Sequence, residues 1–302
     1  MLYRLLNPKK QAPWQLEYEN LYAEFLKMPY QDIIDKKELI NLTNKDYLWI
    51  QHYCDIDTPE VRSCKAMKMA QVNGTAVNQY IGAVNLEQEK KEYNEILDIG
   101  LVFDDTTANT MKKTFNSTDF WSVGFPISNE AEKYRTTKKK QICIAGRLDA
   151  FKNVSINIWL TEDLRKQGYK IIFCYPDKDE QEEKSKFYLK RPIDNVVFKR
   201  CNKTEWLKIA GESEFYLITS LDDNCSVSMW EAYKAGCYLL VADIADGIIR
   251  YPDYVSMKFI AFDKMSLNNL INTKPEQSLD LSRINPELCC KRLEEYLNEN
   301  SL

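Results

Sequence analysis

Residues Ser220 to Gly247 constrain the chain more than any other stretch. They follow a short apolar run, Phe215 to Thr219, bounded tightly enough to be a buried strand. A polar turn, Leu221 to Ser226, comes next and offers several residues able to cap a helix. Val227, Met229, Trp230, Ala232, Tyr233 and Ala235 then suit a mostly buried helix that Gly236 ends. Tyr238 to Ala242 is a second strand. Strand, polar loop, helix, glycine and strand make a βαβ unit, whose loop opens a helix at the carboxyl edge of a parallel sheet. Unpaired N–H groups and a positive dipole end collect there, in the turn Asn224, Cys225 and Ser226, and suit phosphate. Asp223 and Glu231 stand eight residues apart, about two helical turns plus a bend, so both can face that edge and hold sugar or ribose hydroxyls. A solvated loop aspartate and a surface glutamate are the plainer alternative.

A second stretch has the same build. Lys140 to Ala145 is a strand, followed by Gly146, Arg147, Leu148, Asp149, Ala150, Phe151, Lys152 and Asn153, and then by one helix running to about Gly168. Glycine at the strand end lets the backbone turn closely. Arg147 and Lys152 bring two cations to the loop, which suits a diphosphate.

Gly146-Arg147-Leu148 with Lys152-Asn153, then Asp223, Glu231-Ala232 and Gly236, resemble the donor-binding half of retaining GT-B glycosyltransferases of the family 4 type, over residues 138–262. The resemblance implies an α/β fold of two Rossmann-like domains with a cleft between them. It gives residues 1–130 to a shortened acceptor domain and residues 131–302 to the nucleotide-sugar domain, with a terminal helix in 285–302 able to cross back. It implies a nucleotide-sugar cosubstrate, UDP-sugar favoured, no tightly bound cofactor, and transfer with retention in which the donor phosphate takes the acceptor proton. Arg147 and Lys152 would stabilise the departing diphosphate with the amides of Asn224, Cys225 and Ser226. Glu231 would bind ribose and Asp223 the sugar. The family has Glu where Asp223 stands and a glycine-rich turn where this chain has Asn224 to Ser226. A catalytically inactive scaffold of the same shape is the rival reading.

Composition narrows the class further. Hydrophobic residues at 44% and charged ones at 28% describe a folded globular protein rather than a disordered one. A net charge of −4 gives no bulk attraction to nucleic acid or to an anionic membrane. Nine cysteines without a C-x-x-C pair, beside one histidine, argue for reduced buried thiols rather than a zinc site. Neither a signal-peptide core nor an 18-residue apolar run occurs in the sequence, so a cytoplasmic protein is expected.

The first half alternates strands and helices: Leu2 to Leu6 a strand, Trp14 to Lys27 an amphipathic helix, Asp46 to His52 a strand, Pro59 to Val72 a helix. Thr75 to Val84 and Ile96 to Phe103 follow as strands, Thr106 to Phe115 as a helix and Phe120 to Val123 as a strand. Polar Ser128 to Lys140 reads as a linker. His52, at a strand end, is either a catalytic or acceptor-orienting residue or a satisfied structural one. Asp55-Ile56-Asp57 is a D-x-D triplet, weak as a metal motif beside a donor half that carries its own cations, so metal independence is expected. Asp105-Thr106 reads as a helix cap.

The acceptor is the least determined element. Over residues 1–130 Asp and Glu outnumber Lys and Arg by roughly five, which disfavours a basic membrane face. Lys9-Lys10, Lys65/Lys68, Lys112-Lys113 and Lys138 to Lys140, with Trp14, Trp49 and Trp121 for base stacking, leave modified DNA open. In its compact acceptor half and Lys/Asn/Asp-rich style the chain is similar to bacteriophage enzymes that glycosylate hydroxymethylated pyrimidines in DNA. Surface polysaccharide or lipid-linked glycan is the alternative acceptor.

Overall fold

The structure, a computed structural model, describes residues 1–7, 13–51, 55–72, 93–115, 117–149, 152–176, 179–190, 192–221, 226–244 and 257–300. The chain divides into two compact units, residues 1–128 with 281–302, and residues 129–280. Each is built on a six-stranded parallel sheet.

The first unit contains strands β1 (Leu2–Leu5), β2 (Tyr30–Ile33), β3 (Tyr47–Ile50), β4 (Met67–Gln71), β5 (Ile99–Val102) and β6 (Asp119–Ser122), in the order β2-β1-β3-β4-β5-β6. All five pairings are parallel. β3 and β5 are buried at every position, as strands covered on both faces must be. Helices α1 (Pro13–Phe25), α2 (Pro59–Ser63), α3 (Asp105–Thr114) and the terminal α10 (Pro286–Glu299) belong to this unit. α10 starts at Asn285, whose side chain accepts from Leu288 N, with proline next to it where no amide is needed. Its Tyr296 stacks on Trp121 with ring centroids 5.1 Å apart, and Tyr47 donates its hydroxyl to Asn300 O at 2.8 Å.

Three expectations in this unit need correction. The helix expected over Pro59 to Val72 stops at Ser63, and Met67–Gln71 is instead a central strand between β3 and β5. Met-Lys-Met-Ala-Gln has good helix formers, but two flanking strands supply partners for its backbone and burial for Met69 and Ala70, and that outweighs propensity. The cap of α3 is Asp104, which accepts from Thr107 N at 2.8 Å, rather than Asp105. Trp49 is fully buried and Trp121 is 5% exposed, so neither ring is presented to a base. The D-x-D carboxylates are engaged as well. Asp55 is buried and accepts from Lys36 and Asn7, and Asp57 pairs with Arg62.

The second unit holds β7 (Lys139–Ala145), β8 (Lys170–Pro176), β9 (Val196–Cys201), β10 (Ser213–Ile218), β11 (Tyr238–Ala242) and β12 (Lys258–Phe259). Read from one edge, the order is β9-β8-β7-β10-β11-β12, the 3-2-1-4-5-6 sequence of a doubly wound nucleotide-binding sheet. The helices are α4 (Val154–Leu160), α5 (Glu162–Lys166), α6 (Asp179–Leu189), α7 (Lys203–Glu212), α8 (Val227–Lys234) and α9 (Lys264–Thr273). The single helix expected after Asn153 breaks at Thr161, whose hydroxyl turns back to Asn157 O at 2.7 Å. α7 opens with a capping box, Asn202 and Glu205 satisfying each other's backbone amides.

The polar stretch before β7 is strapped down. Residues Asn129–Tyr134 form a 3-10 turn with Ala131 buried. The Lys138 ammonium donates to Gly211 O at 2.8 Å and Ala235 O at 2.9 Å, at the carboxyl ends of α7 and α8. A cation at two helix ends answers both dipoles at once. Cys64, Cys143, Cys174, Cys201, Cys237, Cys289 and Cys290 are all free and buried.

Candidate functional site

A 3-2-1-4-5-6 sheet reverses its winding between its first and fourth strands, here β7 and β10, and the loops leaving their carboxyl ends part in opposite directions to open a crevice. Those loops are Gly146–Asn153 and Thr219–Ser226, the two stretches that carry most of the expected site residues.

The first loop turns at Gly146, where φ is +144°, a conformation open to glycine and strained for other residues. Its amide donates to Cys174 O on β8 at 3.0 Å, and the stem of Lys152 lies over its Cα, at 3.5 Å from where a Cβ would stand. Asn153 is held in the left-handed region at φ 54°, and buried hydrogen bonds stabilise it there. Its Nδ2 donates to Thr219 O at 2.6 Å. The Thr219 hydroxyl donates to Asn157 Oδ1 at 2.7 Å, and Asn157 Nδ2 donates to Lys152 O at 3.1 Å. These bonds tie the end of the β7 loop, Lys152 and Asn153, through Asn157 to the start of the β10 loop at Thr219.

Arg147 is 56% exposed at its side chain, with Nε 3.1 Å from Asp149 Oδ2. The other oxygen of Asp149 faces the Lys184 ammonium of α6. α6 holds this loop a second time through Gln181, 1% exposed, which accepts from Leu148 N at 2.6 Å. Among the described residues the rim thus sets Arg147 and Lys184 around one carboxylate, Asp149, while the stem of Lys152 packs over Gly146. That electropositive surface suits a multiply charged phosphate group.

On the β10 side, Ser226 caps α8 by backbone conformation alone; its hydroxyl is 3.4 Å from that of Ser228, which also meets Tyr216 OH at 2.9 Å. Glu231, one turn further on, is 4% exposed. Its Oε2 accepts from Trp206 Nε1 at 2.6 Å, and its Oε1 is paired with the Lys203 ammonium. Gly146, Arg147 and Lys152 lie on the loop that follows β7, and Ser226 and Glu231 at the start of and within the helix that follows β10, the two strands that flank the switch point. Asp223, Asn224, Cys225 and His52 lie outside the described residues.

Sequence reasoning missed Asp149, Lys184, Gln181, Lys203 and Trp206. Only Lys203 carried a local signal, standing between the cap Asn202 and Glu205 of a legible capping box. The others converge through strand order, which no local pattern encodes. No group of three metal-ligating side chains occurs among the described residues, and no described helix is long and apolar enough to cross a membrane.

No family model matches the sequence, and no curated protein matches it. Solved structures do match in three dimensions. Anabaena HepE in complex with UDP-glucose is similar with a TM-score of 0.70 at 12% identity, covering 99% of this chain and 99% of that one. The HepE complex with UDP and glucose gives 0.71 over 98% and 99%. The pneumococcal O-GlcNAc transferase GtfA in complex with UDP and GlcNAc gives 0.57 at 13% identity, over 87% of this chain and 58% of that one. At these identities the likeness is one of fold. The fold is GT-B, two Rossmann-like units in one chain, each with its own parallel sheet.

Proposed function

We propose that the protein is a glycosyltransferase that moves a sugar from UDP-sugar to an acceptor hydroxyl with retention, the second unit taking the donor and the first the acceptor. The observation that carries the proposal is the cationic Gly146–Asn153 rim, hydrogen-bonded to the β10 loop at the switch point of a 3-2-1-4-5-6 sheet. Similar structures with this fold hold UDP and UDP-glucose.

Breaking the bond between the anomeric carbon and the diphosphate oxygen puts negative charge on the leaving group. Arg147 and Lys152, with the amino end of α8 behind Ser226, stabilise that charge without a metal ion. The acceptor oxygen bonds to the anomeric carbon on the face the diphosphate leaves, the donor phosphate takes the acceptor proton, and UDP departs. Glu231 receives the ribose hydroxyls by exchanging them for Lys203, whose ammonium then turns toward the diphosphate. Asp223 binds the sugar, and His52 orients the acceptor.

A glycan hydroxyl is the acceptor we favour, because Trp49 and Trp121, two of the three tryptophans suited to stacking an extruded base, are packed inside. Hydroxymethylated pyrimidine in bacteriophage DNA is the alternative, supported by the style of the sequence. Radiolabelled UDP-glucose turnover by the wild type and by Arg147→Ala, with glycan and hydroxymethylated DNA in parallel, tests the proposal. Losing one such cation removes about 3 kcal/mol of transition-state stabilisation, on the order of a hundredfold in rate. UDP binding and donor hydrolysis indifferent to Arg147 and Lys152 would overturn this site, and absence of both in the wild type would leave an inactive scaffold as the reading.

A further inference from the structure

Away from the switch point, at the amino ends of β7 and β8, the second unit has a cavity of about 420 Å³. Its lining runs from Lys139, at the amino end of β7, to Lys199, which is level with Ala145 by register and two strands away from it, about 10 Å. Register determines what faces it. Gln141 pairs with Lys170, and Ile172 with Val197, so these four side chains share one face of the sheet. Lys139 and Lys199, two residues along their strands from Gln141 and Val197, join them. α7 closes one flank with Ile209 and Glu212, and Lys140 completes the rim.

The charges are lopsided. Lys139 is 2.7 Å from Glu212, and Lys140 donates to Gln167 O at 2.6 Å while lying over the Tyr169 ring. The Lys170 ammonium has no ion-pair partner among the described residues, and that of Lys199 lies near the Cys174 and Cys201 thiols rather than a carboxylate; both lysines are exposed. Three lysines, Lys139, Lys170 and Lys199, therefore share this face with one carboxylate, Glu212, in a chain whose net charge is −4. Repulsion among them makes an anion the natural occupant. Lysines act on phosphate as movable point charges rather than as planar forks, so they suit a ligand with several charged oxygens instead of a single carboxylate. Ile172, Val197 and Ile209 give the cavity an apolar floor, and its volume is that of a small-molecule site.

We propose that this cavity is a second anion site, distinct from the donor rim, for a compact ligand carrying two or more phosphate charges. Calorimetric titration of the full chain with inorganic pyrophosphate in 150 mM sodium chloride tests it. Three proteins are compared: wild type, Lys170→Glu/Lys199→Glu and Arg147→Ala. The wild type and Arg147→Ala should bind pyrophosphate at the lysine site, and the double charge reversal should weaken that binding at least tenfold while leaving the melting temperature unchanged. A milder pair, Lys170→Ala/Lys199→Ala, should lose several-fold if charge reversal disturbs folding. Equal affinity and stoichiometry in the wild type and both lysine variants overturns the site. So does binding that sodium sulfate of equal ionic strength abolishes, or binding of a DNA oligonucleotide where pyrophosphate fails. Loss of binding in Arg147→Ala alone would instead place all pyrophosphate at the donor rim.

Discussion

Truncating Glu231 separates its two possible duties, holding α7 against α8 and holding a ligand. Its carboxylate is 4% exposed and accepts from the buried indole of Trp206 at 2.6 Å, while Lys203, 35% exposed, pairs with the other oxygen. In Glu231→Ala the Trp206 N–H is left without an acceptor, a loss of about 1–3 kcal/mol. The Lys203 contribution is screened by solvent and adds about 0.5–1 kcal/mol. Together with the small cavity the sum is about 3 kcal/mol, a fall in melting temperature on the order of 6–10 °C for a unit of this size. Glu231→Gln keeps an acceptor for the indole and should lose only about 1 kcal/mol, or roughly 2–4 °C. Thermal melting by circular dichroism reads these values, and a cycle with Lys203→Met should show coupling of about 0.5–1 kcal/mol. Glu231→Ala melting within about a degree of the wild type would refute the argument that the buried pair ties these helices together. UDP titration of Glu231→Gln then tests the ligand duty: unchanged affinity would make Glu231 a prop and remove it from the ribose site.

Two further outcomes follow from packing and charge. Gly211 lies in the last turn of α7, where a Cβ would stand 1.9 Å from Tyr134 O, so Gly211→Ala must push the 129–134 strap aside. Alanine's helix propensity adds about 1 kcal/mol, but displacing backbone costs about 1–3 kcal/mol or more; a melting temperature at or above wild type would contradict this contact. The Lys264 and Lys166 ammonium groups beside Glu162 hold its carboxyl down at about 2, from an ordinary 4.5. A carboxylate whose pKa is lowered by folding contributes stability that is whole above about 4.5 and is lost as pH falls toward about 2. An NMR titration of Lys264→Met should show Glu162 moving back up; an unmoved midpoint would assign the shift to Lys166 alone.

In the sequence, whatever depends on neighbours along the chain was legible. The βα loops at Gly146 and Ser226, the terminator Gly236, the terminal helix within 285–302 and most strands are written in short-range chemistry, because turns, caps and alternation involve residues within a few positions. That same chemistry pointed to a diphosphate site. Tertiary structure decided the rest. Met67–Gln71 is a strand only because β3 and β5 stand on either side of it. Strand order alone brings Asn153 to Thr219, Lys184 to Asp149 and Lys203 to Glu231. It also gathers Lys139, Lys170 and Lys199, from three separate strands, on one face. Pairing between distant segments is selected by the total burial and hydrogen bonding of the whole sheet, a property of the assembled chain that no local stretch contains.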